Sequence, residues 1–198
     1  MGAPSLIGLT GGIAAGKSEA LRAFERLGAE TISTDAVNHA LLGTEEVRFL
    51  LVDRWGDEVA PGGEVDRAKV AEIVFADPVE LAWLESELHP RVGGRMAQWR
   101  QELDPATAIA VVEVPLLFET RMEGLFDATV AVIAPDEVRQ RRAADREITA
   151  LEGRSGRQLS QEEKAERATH VVVNDAGLDE LEAKISELME TLDAREAT

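Results

Sequence analysis

The chain has 198 residues, with 21 lysines and arginines against 38 aspartates and glutamates, for a formal net charge of −17. That charge repels a phosphate backbone, and 4% aromatics with no tyrosine leave few stacking platforms, so broad nucleic-acid binding is excluded. At 44% hydrophobic and 30% charged residues the composition is that of a globular protein, and the absence of cysteine excludes disulfides, thiolate metal sites and a cysteine nucleophile.

In chain order, the first apolar run is Leu6 to Thr10, read as a buried strand. It enters Gly11-Gly12-Ile13-Ala14-Ala15-Gly16-Lys17-Ser18, a complete GxxxxGK[ST] string, and a segment of helical period, Glu19 to Leu27, follows. Strand, glycine-rich loop and helix together are the context in which this string cradles phosphates. Glycines let the backbone turn several N–H groups toward one point, at the positive end of a helix. Lys17 then reaches the β- and γ-phosphates, and the Ser18 hydroxyl is placed to ligate Mg²⁺. The expected ligand is a nucleoside triphosphate, with ATP as the default.

A short second strand, Glu30 to Ser33, leads to Asp35. In a doubly wound sheet the ligands gather at the carboxyl ends of the strands. A carboxylate there accepts a proton from an attacking hydroxyl, holds Mg²⁺ through water, or caps the helix Ala36 to Leu42, and spacing alone leaves these open. The interval from Ala36 to Pro105 breaks the alternation of strands and helices. It is long and mostly helical, with a turn at Pro61-Gly62-Gly63 and helix boundaries expected at Asp77-Pro78 and His89-Pro90. Strands resume at Ala108 to Val114, Ala128 to Ile133 and Val171 to Val173, and Leu178 to Leu192 closes the chain as a helix. The pattern predicts a three-layer α/β fold of the P-loop NTPase type, with a parallel sheet of about five strands.

Between 139 and 157 lie six arginines and three acids, a reversal of sign in an acidic chain. Arg142 and Arg146 stand at i, i+4, a like-charge spacing that an isolated helix avoids. A lid whose arginines close over the triphosphate accounts for the cluster better than a solvated helix face. No guanine-specifying NKxD string occurs, which argues against a GTPase switch, and Asp53-Arg54-Trp55-Gly56 matches DxxG only within the helical interval. His39, His89 and His170 form no zinc-binding spacing, and no run is long and apolar enough to span a bilayer. A soluble, cytoplasmic small-molecule kinase is therefore expected, with no nucleic-acid or membrane partner. The alternatives are a kinase for another small acceptor, such as a nucleoside or sugar, and a slow nucleotide-dependent switch or binding protein.

Several strings together resemble the dephospho-coenzyme A kinase family. They are Leu9-Thr10-Gly11-Gly12-Ile13 with Gly16-Lys17-Ser18, Asp35-Ala36 with His39, Leu88-His89-Pro90, Val114-Pro115-Leu116-Leu117-Phe118-Glu119, and the stretch from Gln158 to Asn174. The resemblance implies phosphorylation of the ribose 3′-hydroxyl of dephospho-CoA by ATP with Mg²⁺. It implies a nucleotide-binding core at 1–35, 106–138 and 168–198, a helical acceptor region at 36–105 and an arginine-rich lid at 139–167. It also makes Asp35 the catalytic aspartate, with Lys17, Arg142 and Arg154 stabilising the transferring phosphoryl group. By the same resemblance His89 and Glu119 fall near the acceptor, although Glu119 alternatively fixes the loop after its strand, and Asn174 falls near the adenine or serves a turn. Two positions depart from the family pattern: Ser33 replaces an aspartate in the second strand, and Glu113 replaces the usual aspartate before Pro115, where it is expected to reach a metal-bound water. An arginine elsewhere, such as Arg48, is expected to matter much less than Arg142 or Arg154.

Overall fold

The computed structural model describes residues 4–145 and 158–196. Its backbone divides into two compact units, one made of residues 1–33 and 103–198 and the other of residues 34–102.

The first unit is built on five parallel strands: β1 (Ser5–Gly11), β2 (Glu30–Ser33), β3 (Ile109–Glu113), β4 (Ala128–Ile133) and β5 (His170–Val173). Their spatial order is β2-β3-β1-β4-β5, with Ile7 opposite Val111 on one side and Ala128 on the other. The central strand is covered on both faces, so all seven of its residues are buried, whereas edge strand β5 leaves Val171 and Val173 partly exposed. Alternation along β1 sorts its side chains. Ile7 and Leu9 join Ala20, Ala23 and Phe24 of α1 (Lys17–Arg26) in one apolar core, together with Leu181, Ile185 and Leu188 of the C-terminal helix (Leu178–Glu196). On the opposite face Gly8 is overlaid by Leu117 and Phe126, where an added Cβ would meet side-chain carbons at 2.6 and 2.8 Å.

The second unit is helical: α2 (Thr34–Leu42), α3 (Glu45–Trp55), α4 (Arg67–Ala76) and α5 (Pro78–Glu102). The Thr44 hydroxyl caps α3 by accepting from the Val47 N–H, and Asp66 caps α4 by accepting from Ala68 and Lys69. Val47, Leu51, Val59, Val70, Val74, Leu84 and Leu88 form its own core, and Trp55 meets Trp83 edge-on at 5.1 Å. The Glu80 carboxylate is held below the usual glutamate range by the Arg54 guanidinium and the Trp55 indole N–H. One sequence expectation fails here, because α5 runs through His89-Pro90 without a break. An interior proline costs on the order of 3 kcal/mol. The helix carries it because Leu84, Leu88 and Val92 anchor both flanking turns in buried positions.

After β4 the first unit continues with α6 (Asp136–Asp145) and α7 (Gln161–Arg167), and the C-terminal helix is α8. The Ser160 hydroxyl accepts from the Glu163 N–H while the Glu163 carboxylate accepts from the Ser160 N–H, so a capping box fixes where α7 begins. No helix among the described residues is long and apolar enough to cross a membrane.

Candidate active site

The glycine-rich string lies where β1 gives way to α1, at the C-terminal end of the central strand. Gly11 cannot carry a side chain, since a Cβ there would collide with the Val132 carbonyl. Ala14 adopts φ 59° and Gly16 φ 99°, so the loop enters left-handed backbone twice within three residues. For an alanine that conformation costs roughly 1 kcal/mol or more, and strain of this kind collects at ligand-binding loops. Among the described residues the N–H groups of Ile13, Ala14 and Gly16 donate to no backbone carbonyl. With the N-terminal turn of α1 they make a set of donors at the positive end of a helix, suited to an anion.

The carbonyls of the same loop are gripped by side chains. Lys17 Nζ donates to the oxygens of Gly11 and Gly12 at 3.2 and 3.0 Å. From α6, Arg139 Nε donates to Ile13 O at 3.0 Å and Arg142 reaches Ala15 O at 3.3 Å. Asn174, 4% exposed just beyond β5, donates its Nδ2 to Ala15 O at 2.8 Å and accepts at Oδ1 from Arg142 at 3.2 Å. Asn174 and Arg142 thus form one assembly that holds a single loop carbonyl. Gln161 supports the other flank: its amide exchanges two hydrogen bonds with the backbone of Ala134, and it packs where a Cβ on Gly12 would go.

Below the loop, Lys164 of α7 is fully buried against the sheet face opposite α1. Its ammonium pairs with Glu119 at 3.0 Å and donates to Pro115 O at 2.5 Å and Thr10 Oγ1 at 3.5 Å. Burial pushes Lys164 below the usual lysine range, while Glu119 pulls it back up. Glu119 Oε1 also accepts from the Leu159 N–H at 2.8 Å, and its Oε2 is buried with no hydrogen-bond partner among the described residues. Thr10 immediately precedes the glycine-rich loop, so this network joins the end of β1, the loop after β3 and the segment entering α7.

Of the residues singled out in the sequence, Gly11 to Ser18, Arg142 and Asn174 come together in the first unit. Glu113 ends β3 at 7% exposure, in register with Leu9 and Ser33. Glu119 is engaged by Lys164. Asp35 is the second residue of α2, so it lies inside the helix and not at its cap, and it is exposed two residues beyond β2; His89 is exposed on α5. Arg154 lies outside the described residues. The sequence pattern did not single out Arg139, Gln161 or Lys164, whose partners are far away along the chain.

The sequence model of the dephospho-CoA kinase family matches residues 5–180. The chain belongs to that family. Curated dephospho-CoA kinases of Deinococcus radiodurans and Thermobifida fusca are 37% and 34% identical to it, each aligned over 96% of this chain and over 93% and 96% of their own lengths. Among solved structures, that of TT1252 from Thermus thermophilus superposes with a TM-score of 0.83 at 33% identity, covering 96% of this chain and 99% of that one. Dephospho-CoA kinase from Campylobacter jejuni, at 24% identity, shares the fold with a TM-score of 0.67 over 96% of this chain and 98% of its own. The glycine-rich loop, the α6 arginines and the buried Lys164–Glu119 pair are thus features of a dephospho-CoA kinase family member with a five-stranded parallel α/β core.

Proposed function

We propose that this protein transfers the γ-phosphoryl group of ATP to the ribose 3′-hydroxyl of dephospho-CoA, giving CoA and ADP. The reading rests on the anion-binding loop from Gly11 to Ser18 in a chain matched to the family over nearly its whole length. The new bond joins the 3′-oxygen to the γ-phosphorus, and the bond from that phosphorus to the β–γ bridging oxygen breaks, so that ADP leaves with the bridging electrons. Asp35 takes the 3′-hydroxyl proton. The loop amides and Lys17 hold the β- and γ-phosphates and oppose the charge that spreads over the transferring group. Arg142 and Arg154 supply further positive charge from the 139–167 lid, residues 36–105 form the acceptor region, and the remainder binds the nucleotide.

The donor chemistry suits Mg²⁺. Ser18 at the start of α1 offers a hydroxyl, and Glu113 at the end of β3 offers a carboxylate, both hard oxygen donors of the kind Mg²⁺ takes alongside phosphate and water. When bound, the ion would neutralise charge on the phosphate oxygens. Asn174 secures the loop on which the nucleotide sits, and His89 contributes to the acceptor region. Of the two roles weighed for Glu119, its pairing with Lys164 supports fixing the loop after β3. The activity belongs in the cytoplasm, where ATP is supplied.

ADP release from Mg·ATP with dephospho-CoA as acceptor, set against nucleosides, sugars and no acceptor, tests the reading. Turnover that ignores the acceptor would overturn the kinase assignment, and preference for a nucleoside or sugar would overturn the choice of acceptor.

A further inference from the structure

The ladder between the adjacent strands β1 and β3 ends at Leu9 opposite Glu113, with the Val114 N–H donating to Leu9 O at 2.8 Å. Beyond that point the two strands part. Thr10 and Gly11 stay in register with Ala131 and Val132 of β4, while the other chain leaves the sheet at Pro115, which has no N–H to donate. A split of this kind at the carboxyl end of a parallel sheet is where ligands gather, and here it separates the start of the glycine-rich loop from Glu113. One side chain closes it. Lys164 Nζ reaches both Pro115 O and Thr10 Oγ1, and the Thr10 hydroxyl donates to the same Pro115 oxygen at 3.2 Å. From the same helix, one turn earlier, Gln161 packs where a Cβ on Gly12 would go.

The Lys164 ammonium is fully enclosed, and the side chain of its counter-charge, Glu119, is 10% exposed. Well-packed apolar side chains in place of a buried ion pair are often as stable or more so, so stability alone gives no reason for charge at this point. Donors aimed into the split give one. From this geometry we infer that Lys164 is a positioning residue for phosphoryl transfer: it holds the start of the glycine-rich loop against the end of β3, so that the loop amides and Glu113 keep one spacing around the triphosphate. The inference rests on the proposed function, since the step it serves is the transfer from ATP. Glu119 acts through Lys164, balancing its charge while accepting the Leu159 N–H at the entry to α7.

The test compares T10V, E119Q and the double variant K164M/E119L with wild type. Urea unfolding gives stability, calorimetry without acceptor gives ATP affinity, and steady-state ADP release with dephospho-CoA gives kcat and KM. The double variant strands no charge but leaves Pro115 O and Thr10 without their shared donor. It should be more stable than E119Q, yet bind ATP about tenfold more weakly than wild type and turn over about tenfold more slowly or worse. E119Q leaves the Lys164 donors in place, so it should be the less stable protein and the faster enzyme of the two. T10V keeps the β-branched shape and the ion pair but lacks the hydroxyl, so it should weaken ATP binding and lower kcat, with KM for dephospho-CoA within about twofold of wild type. A Lys164 that serves stability alone predicts the reverse order, with ATP affinity and kcat following stability. That order would overturn the inference, as would wild-type ATP affinity and kcat in the double variant. If wild type binds ATP and releases no ADP with dephospho-CoA, the kinase reading falls, and the ATP affinities of the same variants still decide whether Lys164 sets the loop.

Discussion

The carboxamide of Asn174 stands so close to Gly16 that a Cβ on the glycine would collide with its Nδ2. Gly16 also adopts φ 99°, so Gly16→Ala suffers both a collision and left-handed backbone. Gly28 makes a matched control: its φ is 94°, yet nothing lies within 4 Å of the place a methyl group would occupy. Gly28→Ala should cost about 1 kcal/mol of stability and leave ATP binding unchanged. Gly16→Ala should displace Asn174 from Ala15 and weaken ATP binding by an order of magnitude or more. Nucleotide titration alongside thermal unfolding separates the two, and equal ATP affinities would show that Asn174 does not set the loop.

The Ala15 carbonyl receives both Asn174 and Arg142, and the two side chains also bond to each other, so they act as one unit. Asn174→Ala removes the shorter bond and takes the side-chain acceptor from the half-buried Arg142 guanidinium, which costs about 1–3 kcal/mol. If that loss falls on the loop, KM for ATP rises roughly tenfold or more while KM for the acceptor holds. The double variant Asn174→Ala/Arg142→Gln should then fall short of the sum of the single effects on KM for ATP. Full additivity in the double-mutant cycle would show that the two act independently.

Lys164 and Glu119 form an ion pair with the lysine wholly enclosed, so breaking it from one side strands a charge. Lys164→Met leaves the Glu119 carboxylate with the Leu159 N–H but without its cation and should destabilise the fold by about 3–5 kcal/mol. Adding Glu119→Leu removes the stranded charge and should recover much of that loss. Urea unfolding of both single variants and the double measures the coupling. A double variant no more stable than Lys164→Met would show that the pair is not what the fold depends on.

Much of this was legible in the sequence. The three central strands, β3, β1 and β4, were visible as apolar runs because a parallel sheet buried on both faces demands them, the edge strands β2 and β5 were legible only as shorter segments, and the glycine-rich loop was visible because its chemistry fixes residue types at fixed spacing. Lys164 was not legible. Gln161 to Arg167 reads as an ordinary charged helix, and its burial arises from Pro115 and Thr10, which are remote in the chain. Arg139 was counted in a cluster but not distinguished, since its target, the Ile13 carbonyl, is a backbone atom that carries no sequence signal. The helix boundary expected at Pro90 failed because local preference yielded to buried anchors on either side.

The burial of Lys164 also gives the stability a pH dependence of known sign. Burial lowers its pKa below 10.5 in the folded protein, so the unfolded chain binds the proton more tightly. Its contribution to stability therefore rises with pH as the pH climbs through the folded-state pKa toward 10.5, and is level above that. Wild type measured against Lys164→Met from about pH 8 to about pH 11 should show this rise, because the variant lacks the titrating group. A difference that shrinks with pH would contradict a lowered pKa.

Asp35 occupies the first turn of α2, exposed, two residues past the end of β2. A carboxylate there complements the helix dipole, so Asp35→Asn should cost no more than about 1 kcal/mol of stability and keep the helix, since the amide has the same shape. What the amide cannot do is accept the 3′-hydroxyl proton. Turnover should fall by about two to four orders of magnitude, with ATP affinity unchanged, because the lost interaction belongs to the transition state. Single-turnover measurements at saturating dephospho-CoA isolate the chemical step from product release. Full turnover in Asp35→Asn would remove it as the base and leave it as a residue of the first helical turn alone.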